Sequence, residues 1–206
     1  MNYTTLASKD SIQKTITALT ERGYLPELVE SRAEALERIK ELIPAGASIM
    51  NGSSTTLEEI GFIDYLKGGK HGWNNLHEAI LEEKDPVKQA ILRKQSVLSD
   101  FYLGSAHAIA ETGEIVIASN SGSQLPHLVY TSPNIILIVG AQKVTPDLDT
   151  AIARLKEHAY PLEDARMKSV GVAAGSFISK MLVINREQAF GERKFHVIFV
   201  NEKLGF

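Results

Sequence analysis

The chain runs to 206 residues, 44% hydrophobic and 23% charged, a length and balance that suit one large or two small globular domains with a real core. It contains no cysteine, which excludes a thiolate-held iron–sulfur cluster, a thiol nucleophile and a disulfide framework built from this chain. A formal net charge of −3, with acids and bases interspersed, leaves no basic face for a phosphate backbone, so nucleic acid is not an expected partner.

At the amino terminus, Met1–Thr5 lacks the basic start and apolar stretch of a secretory signal. No apolar run approaches the roughly 20 residues that span a bilayer, so a soluble, cytoplasmic protein with no membrane contact is expected. Ile12, Ile16 and Leu19 recur at helical spacing and Gly23 follows, predicting a helix over 8–22 with a left-handed cap. A short strand is predicted over 24–30. Ser31 and Glu34 then form a capping pattern ahead of Leu36, Ile39 and Ile43, a second helix. Pro44-Ala45-Gly46 ends it, and Ala47–Met50 reads as a buried strand. Residues 57–95 return to helical spacing, broken at Lys67–Gly72 and at Asp85-Pro86. Ala106–Ala110, Ile115–Ala118 and Asn134–Gly140 are strand candidates, the first two forming a hairpin. A helix follows over 147–159 with Pro146 at its start, and Met181–Ile184 and Phe195–Val200 close the chain as a second antiparallel pair. Apolar strands alternating with amphipathic helices define an α/β fold: one domain over 1–206, with a Rossmann-like, mainly parallel open sheet, helices on both faces and an antiparallel hairpin.

In such a sheet ligands bind where loops leave the carboxyl ends of strands. Four polar loops therefore qualify. The loop Asn51–Thr56, with Gly52, Ser53, Ser54 and Thr55 within it, lies between a strand and a helix and offers hydroxyls and backbone N–H groups to an anion, or simply a helix cap built from Ser53 to Thr55. They form neither a P-loop nor a dinucleotide fingerprint. Glu111, Thr112 and Gly113 sit between two apolar runs. A carboxylate there is partly withdrawn from water and suited to acid–base or nucleophilic work, but a hairpin turn with a solvated Glu111 has the same sequence. Asn120, Ser121 and Gly122 belong to an uncharged donor-rich loop. Gly175 and Ser176 lie in a small-residue run with Lys180 nearby, either an anion contact or a surface charge. The six histidines show no metal-ligand spacing, so no metal is expected. His107 reads as a core residue, and Trp73 as covering a pocket or packing against a partner.

Taken together, Gly52–Gly61 and Ala108–Gly113 resemble the paired signatures of the LUD domain, the lactate-utilization family. The likeness continues through Ala118–Pro126, Val139–Lys143, Pro161–Asp164 and Val200–Phe206, the last matching the stand-alone branch. The resemblance implies a fold shared with ribose-phosphate isomerases, glucosamine-phosphate deaminases and CoA transferases. In CoA transferases of that group a Glu-x-Gly turn supplies the nucleophile, a role the resemblance carries to Glu111 alone. The chain departs from the family in reading Gly171–Lys180, without an acidic residue, where many members carry G-x-S-x-T-x-D-I-E.

Three functions follow as expectations. The first is a cluster-free component of lactate or related 2-hydroxy-acid use, binding a small organic acid or other anionic small molecule beside iron–sulfur oxidoreductase subunits. The second is a transferase or isomerase acting on a CoA ester or phosphosugar through Glu111. The third is a non-catalytic binding or regulatory module. No cofactor is evident in the sequence, a CoA ester is admissible, and a homodimer is compatible with any of the three.

Overall fold

The computed structural model describes residues 2–188 and 191–206. Met1, Ala189 and Phe190 lie outside the described residues, so part of the expected 185–194 link does too. The first helix, α1 (Lys9–Glu21), starts where the Ser8 hydroxyl accepts the Ser11 N–H, and it buries Ile12 and Leu19. Strand β1 (Leu25–Val29) follows, then α2 (Arg32–Leu42), capped by Ser31 and burying Ala35 and Ile39. Strand β2 (Ser48–Asn51) leads into the short helices α3 (Thr55–Glu59) and α4 (Phe62–Lys67). After them come β3 (Asn74–Asn75), α5 (Leu76–Glu82), α6 (Pro86–Gln95) and β4 (Phe101–Gly104). The hairpin is β5 (Ala108–Ala110) and β6 (Ile115–Ser119). Then follow β7 (Asn134–Gly140), β8 (Val144–Thr145), α7 (Leu148–Arg154), α8 (Tyr160–Ser169), β9 (Lys180–Ile184) and β10 (Lys194–Val200).

Six strands form an all-parallel sheet in the order β1-β10-β7-β4-β2-β3. Its central strand β7 is apolar on both faces, and the faces feed different cores. Ile135, Leu137 and Val139 pack with Tyr102, Phe195, Val197 and Phe199 against α1 and the hairpin residues Ile109, Ile115 and Ile117. Ile136 and Ile138 pack with Ile49, Leu103, Ile198 and Val200 against α2, α3 and α4. The expected α/β architecture and parallel sheet are present, with a second layer added. The hairpin belongs to a separate mixed sheet, β8-β5-β6-β9, and the outer face of that sheet is covered by Ala151, Leu155 and Ala159.

Four local readings are corrected. The two last strands do not pair: β10 lies between β1 and β7, while β9 runs antiparallel to β6 at the edge of the other sheet. Burial explains the separation. From Phe195 on, β10 is almost wholly buried and suits a sheet covered on both sides, whereas β9 keeps Lys180 and Met181 exposed, as an edge strand does. Strand β4 went unread because four residues carry too little periodicity. The helix read over 147–159 continues through a π-helical turn, Leu155–Ala159, into α8, whose first turn contains Pro161. Proline cannot donate to the preceding turn, and the wider turn accommodates the missing bond. Trp73 is buried, donating Nε1–H to the Ile43 carbonyl at 3.1 Å within an aromatic group of Phe62, Tyr65 and His71. It is a core residue. No helix among the described residues is long and apolar enough to cross a membrane.

Candidate functional site

Strands β2 and β4 are neighbours, but the chain leaves β2 toward β3 at the sheet edge and leaves β4 toward the hairpin and β7. Loops that part in opposite directions open a crevice at the carboxyl ends of parallel strands. A cavity of about 500 Å³ lies there. One wall is the Asn51–Thr56 loop after β2, and the next is Gly104–His107 after β4. Ala118–Ser121 with Gln124, the helical residues Tyr160, Glu163 and Arg166, and Ser176–Ile178 complete the lining, while His77 and Arg93 reach it from α5 and α6.

Lys143 also lines this cavity, from the turn that follows β7. The residue is 2% exposed, and its Nζ donates to Thr56 Oγ1 at 2.9 Å and Ser105 Oγ at 3.1 Å. Burial pushes the amine down from 10.5 to about 7; Arg154 adds to the effect, and Glu59 opposes it. His107, at the start of β5, accepts the Ala118 N–H at Nδ1, which places the proton of its neutral ring on Nε2. Burial first, then Lys143 and Arg154, hold its pKa down at about 3. His107 is half-buried and faces the cavity.

Among the described residues of the polar wall, one buried side-chain acceptor is unmet. Asn51 is 1% exposed, its amide donates weakly to the Gly52 carbonyl at 3.3 Å, and its Oδ1 has no partner. A buried carbonyl oxygen without a donor costs on the order of 1–3 kcal/mol, so a donor supplied by water or ligand is the physical expectation. Tyr102 stacks on His127 and donates to Gln124 Oε1 at 3.2 Å, fixing the loop after β6 across the crevice. A Cβ on Gly52 would lie 3.0 Å from that tyrosine hydroxyl, a tight contact that favours the smallest residue where β2's loop approaches Tyr102.

The cavity is cationic. Glu163 is paired with Arg166 at 2.7 Å, which ties up the guanidinium fork and leaves a 3.5 Å contact to Ser53. Among the described residues neither Lys143 nor Arg93 takes part in a salt bridge. Arg93 further lowers the pKa of His77, after burial. An arrangement of hydroxyls, amides and uncompensated cations at strand ends is chemically suited to a small anion.

Of the residues expected from sequence, Gly52, Ser53, Ser54, Thr55, Asn120, Ser121 and Ser176 come together in this cavity. Ser54 Oγ is partly used, accepting the Leu57 N–H at the start of α3. Gly122 lies behind the loop against the stem of Lys180, whose Nζ donates to the Asn120 carbonyl; both brace the lining rather than form it. Gly175 packs on Asp164, which also accepts the Ser176 N–H. Glu111, Thr112 and Gly113 lie elsewhere. Strand β5 begins at the cavity with His107 and runs away from it, and at roughly 3.3 Å per residue Glu111 is about 13 Å along the strand. There Glu111 accepts a hydrogen bond from Ser11 of α1 and lies 4.0 Å from Lys14. Thr112 bonds Glu114, and Gly113 takes φ of +97° and donates to the Ala110 carbonyl, as a hairpin turn requires.

Sequence reasoning placed Asn51 in the candidate anion loop but assigned no role to Lys143, Tyr102 or Arg93. A signal for Lys143 was present: it is the first charge after the longest apolar strand, where a parallel sheet places its ligands.

A parallel six-stranded sheet, a second mixed sheet and a crevice at a strand-order reversal define a Rossmann-like α/β protein with a cavity at its strand ends. The sequence matches the LUD domain family over residues 12–200, and the chain belongs to that family, which is associated with lactate utilization. Its fold is similar to the crystal structure of a DUF162 family protein from Deinococcus radiodurans, at a TM-score of 0.58 and 13% identity, with 96% of this chain and 100% of that chain covered. Comparison with curated proteins gave no match.

Proposed function

We propose that the chain is a cluster-free, cytoplasmic component of 2-hydroxy-acid utilization whose cavity binds a small organic acid, working beside iron–sulfur oxidoreductase subunits that carry the electrons. The observation that carries this reading is Lys143: a buried cation in no salt bridge among the described residues, anchored only by the Thr56 and Ser105 hydroxyls. A carboxylate at this point supplies the missing countercharge and gives Asn51 and His107 hydrogen-bonding partners through its own oxygens, hydroxyl and water. Family membership supports the substrate class, and the lack of cysteine in the chain favours a partner as the holder of any thiolate-bound cluster.

A thermal-shift comparison of L-lactate, D-lactate, pyruvate, inorganic phosphate and acetyl-CoA tests it. A ligand at 100 times its Kd stabilises the native state by about 2.7 kcal/mol. Wild-type protein is expected to shift with a 2-hydroxy or 2-oxo acid, and Lys143→Met to lose the shift. No shift with any acid, or an equal shift in the variant, refutes the reading.

A second reading is favoured by the volume, about 500 Å³, which exceeds the need of a three-carbon acid, and by Arg93 and Arg166 in the lining. On that reading the ligand is a phosphosugar or CoA ester, with its phosphate at the arginines. The same screen separates the two.

A further inference from the structure

From the placement of Lys143 we infer that this amine is a nucleophile which condenses with the ketone of a 2-oxo acid to form an imine. The inference rests on the anion-binding reading above and deepens it by naming the reacting atom and the substrate class.

Nitrogen stereochemistry is the starting point. A neutral amine has two hydrogens and one lone pair around its Cε bond. At Lys143 the hydroxyl oxygens of Thr56 and Ser105, which follow the neighbouring strands β2 and β4, accept two N–H bonds. With both hydrogens used, the lone pair takes the remaining tetrahedral position, and Lys143 is a wall residue of the cavity. A lysine kept only as a countercharge is ordinarily paired with a carboxylate or exposed; this one is neither among the described residues. Burial with Arg154 nearby holds about half of the amine neutral at neutral pH, on the order of a thousandfold more than for an exposed lysine.

The step balances without a further reagent. The lone pair of Nζ attacks the carbonyl carbon, and one N–H proton passes to the carbonyl oxygen, giving a carbinolamine. The second N–H proton leaves with that hydroxyl as water, and the C=N bond forms. Neither oxidation nor reduction occurs. The hydroxyls of Thr56 and Ser105, already hydrogen-bonded to Nζ, are placed to relay both protons. The substrate carboxylate adjoins the reacting carbon, where the Asn51–Thr56 loop supplies N–H and hydroxyl donors. L-Lactate lacks the carbonyl and binds without condensing.

Borohydride trapping tests this. Wild-type protein is incubated with pyruvate and sodium borohydride, then mapped by peptide mass spectrometry, with L-lactate as the control that has no carbonyl. Lys143→Arg keeps the charge but stays protonated and cannot condense. The expected result is a reduced pyruvyl adduct on Lys143, formed on the order of a hundredfold faster than on exposed lysines. It is absent with lactate and absent in Lys143→Arg. A thermal shift with pyruvate but no adduct at Lys143, or labelling spread evenly over surface lysines, overturns the imine and leaves acid binding standing. Neither shift nor adduct with pyruvate or lactate overturns both. Because the decisive measurement uses the wild-type chain, a variant that fails to fold does not protect the inference.

Discussion

Replacing Lys143 with methionine should stabilise the unliganded protein while removing acid binding. In the fold the amine titrates at about 7, against 10.5 for the ordinary side chain. Each pH unit between those values is worth about 1.4 kcal/mol, so holding this group in the interior near pH 7 costs about 4 kcal/mol relative to one that never charges. Against that gain stand the two lost hydrogen bonds to Thr56 and Ser105, about 1 kcal/mol each. The net expectation is about 2 kcal/mol of added stability at pH 7, or about 4–8 °C in Tm for a domain of this size. The pH dependence is the sharper check. Between 7 and 10.5 the unfolded chain binds the proton that the native chain has released, so wild-type stability rises with pH across that window. Methionine has no such term, and its advantage should shrink by about 2 kcal/mol between pH 7 and pH 9. Urea denaturation at the two pH values measures it. A variant less stable than wild type by the same amount at both would show that the buried amine is not strained by its surroundings, and the argument for an uncompensated cation would fail with it.

Three other outcomes follow from the same geometry. Glu111→Gln should leave organic-acid affinity within about twofold, because Glu111 bonds Ser11 beyond the far end of β5; calorimetric titration showing a tenfold loss would return Glu111 to the site. His127 is buried, with Ser132 Oγ 2.8 Å from Nδ1, and burial lowers its pKa from 6.5 to about 4. Its neutral form therefore supports the fold fully above pH 6.5, and the support is lost as pH falls toward 4, about 3 kcal/mol in all. His127→Gln should flatten the acid limb of a stability–pH curve by about that amount, and parallel curves for the two proteins would refute the assignment. Arg193 donates to the carbonyls of His127, Leu128 and Val129 and lies 3.6 Å from Glu187. Arg193→Ala should cost about 2–3 kcal/mol in chemical denaturation, and a loss below 0.5 kcal/mol would show that water replaces the guanidinium without penalty.

What the sequence disclosed follows the range of the forces involved. The helix start at Ser31 depends on a side chain three residues from the amide it caps, and the first helix on the spacing of Ile12, Ile16 and Leu19, so local reading found both. The β5–β6 hairpin likewise depends on Gly113 and two adjacent apolar runs. The separation of β9 from β10 does not: both are short apolar runs, and only the burial of β10 on both faces by residues from elsewhere in the chain decides between them. Strand β4 is four residues long, yet it sets the place of the crevice, since the strand order reverses beside it.

The site shows the same division more severely. Ser53, Ser54 and Thr55 were legible because a polar run between strand and helix marks a strand's carboxyl end. Glu111 was singled out by chemistry that a carboxylate in a tight turn is able to perform, and the turn lies beyond the end of β5 remote from this cavity. Direction along β5 decides this, and direction is a property of the sheet rather than of the tetrapeptide. Lys143 is the converse case. In sequence it is one charge among 22 Lys and Arg residues. Its chemistry arises only when β7 carries it to the crevice, Thr56 of α3 and Ser105 after β4 bond to it, and no carboxylate among the described residues pairs with it. An amine so enclosed is costly for the fold in either protonation state, and occupancy of the cavity by an acid relieves that cost. The most informative residue of this cavity is therefore the one whose surroundings, rather than whose type, make it reactive.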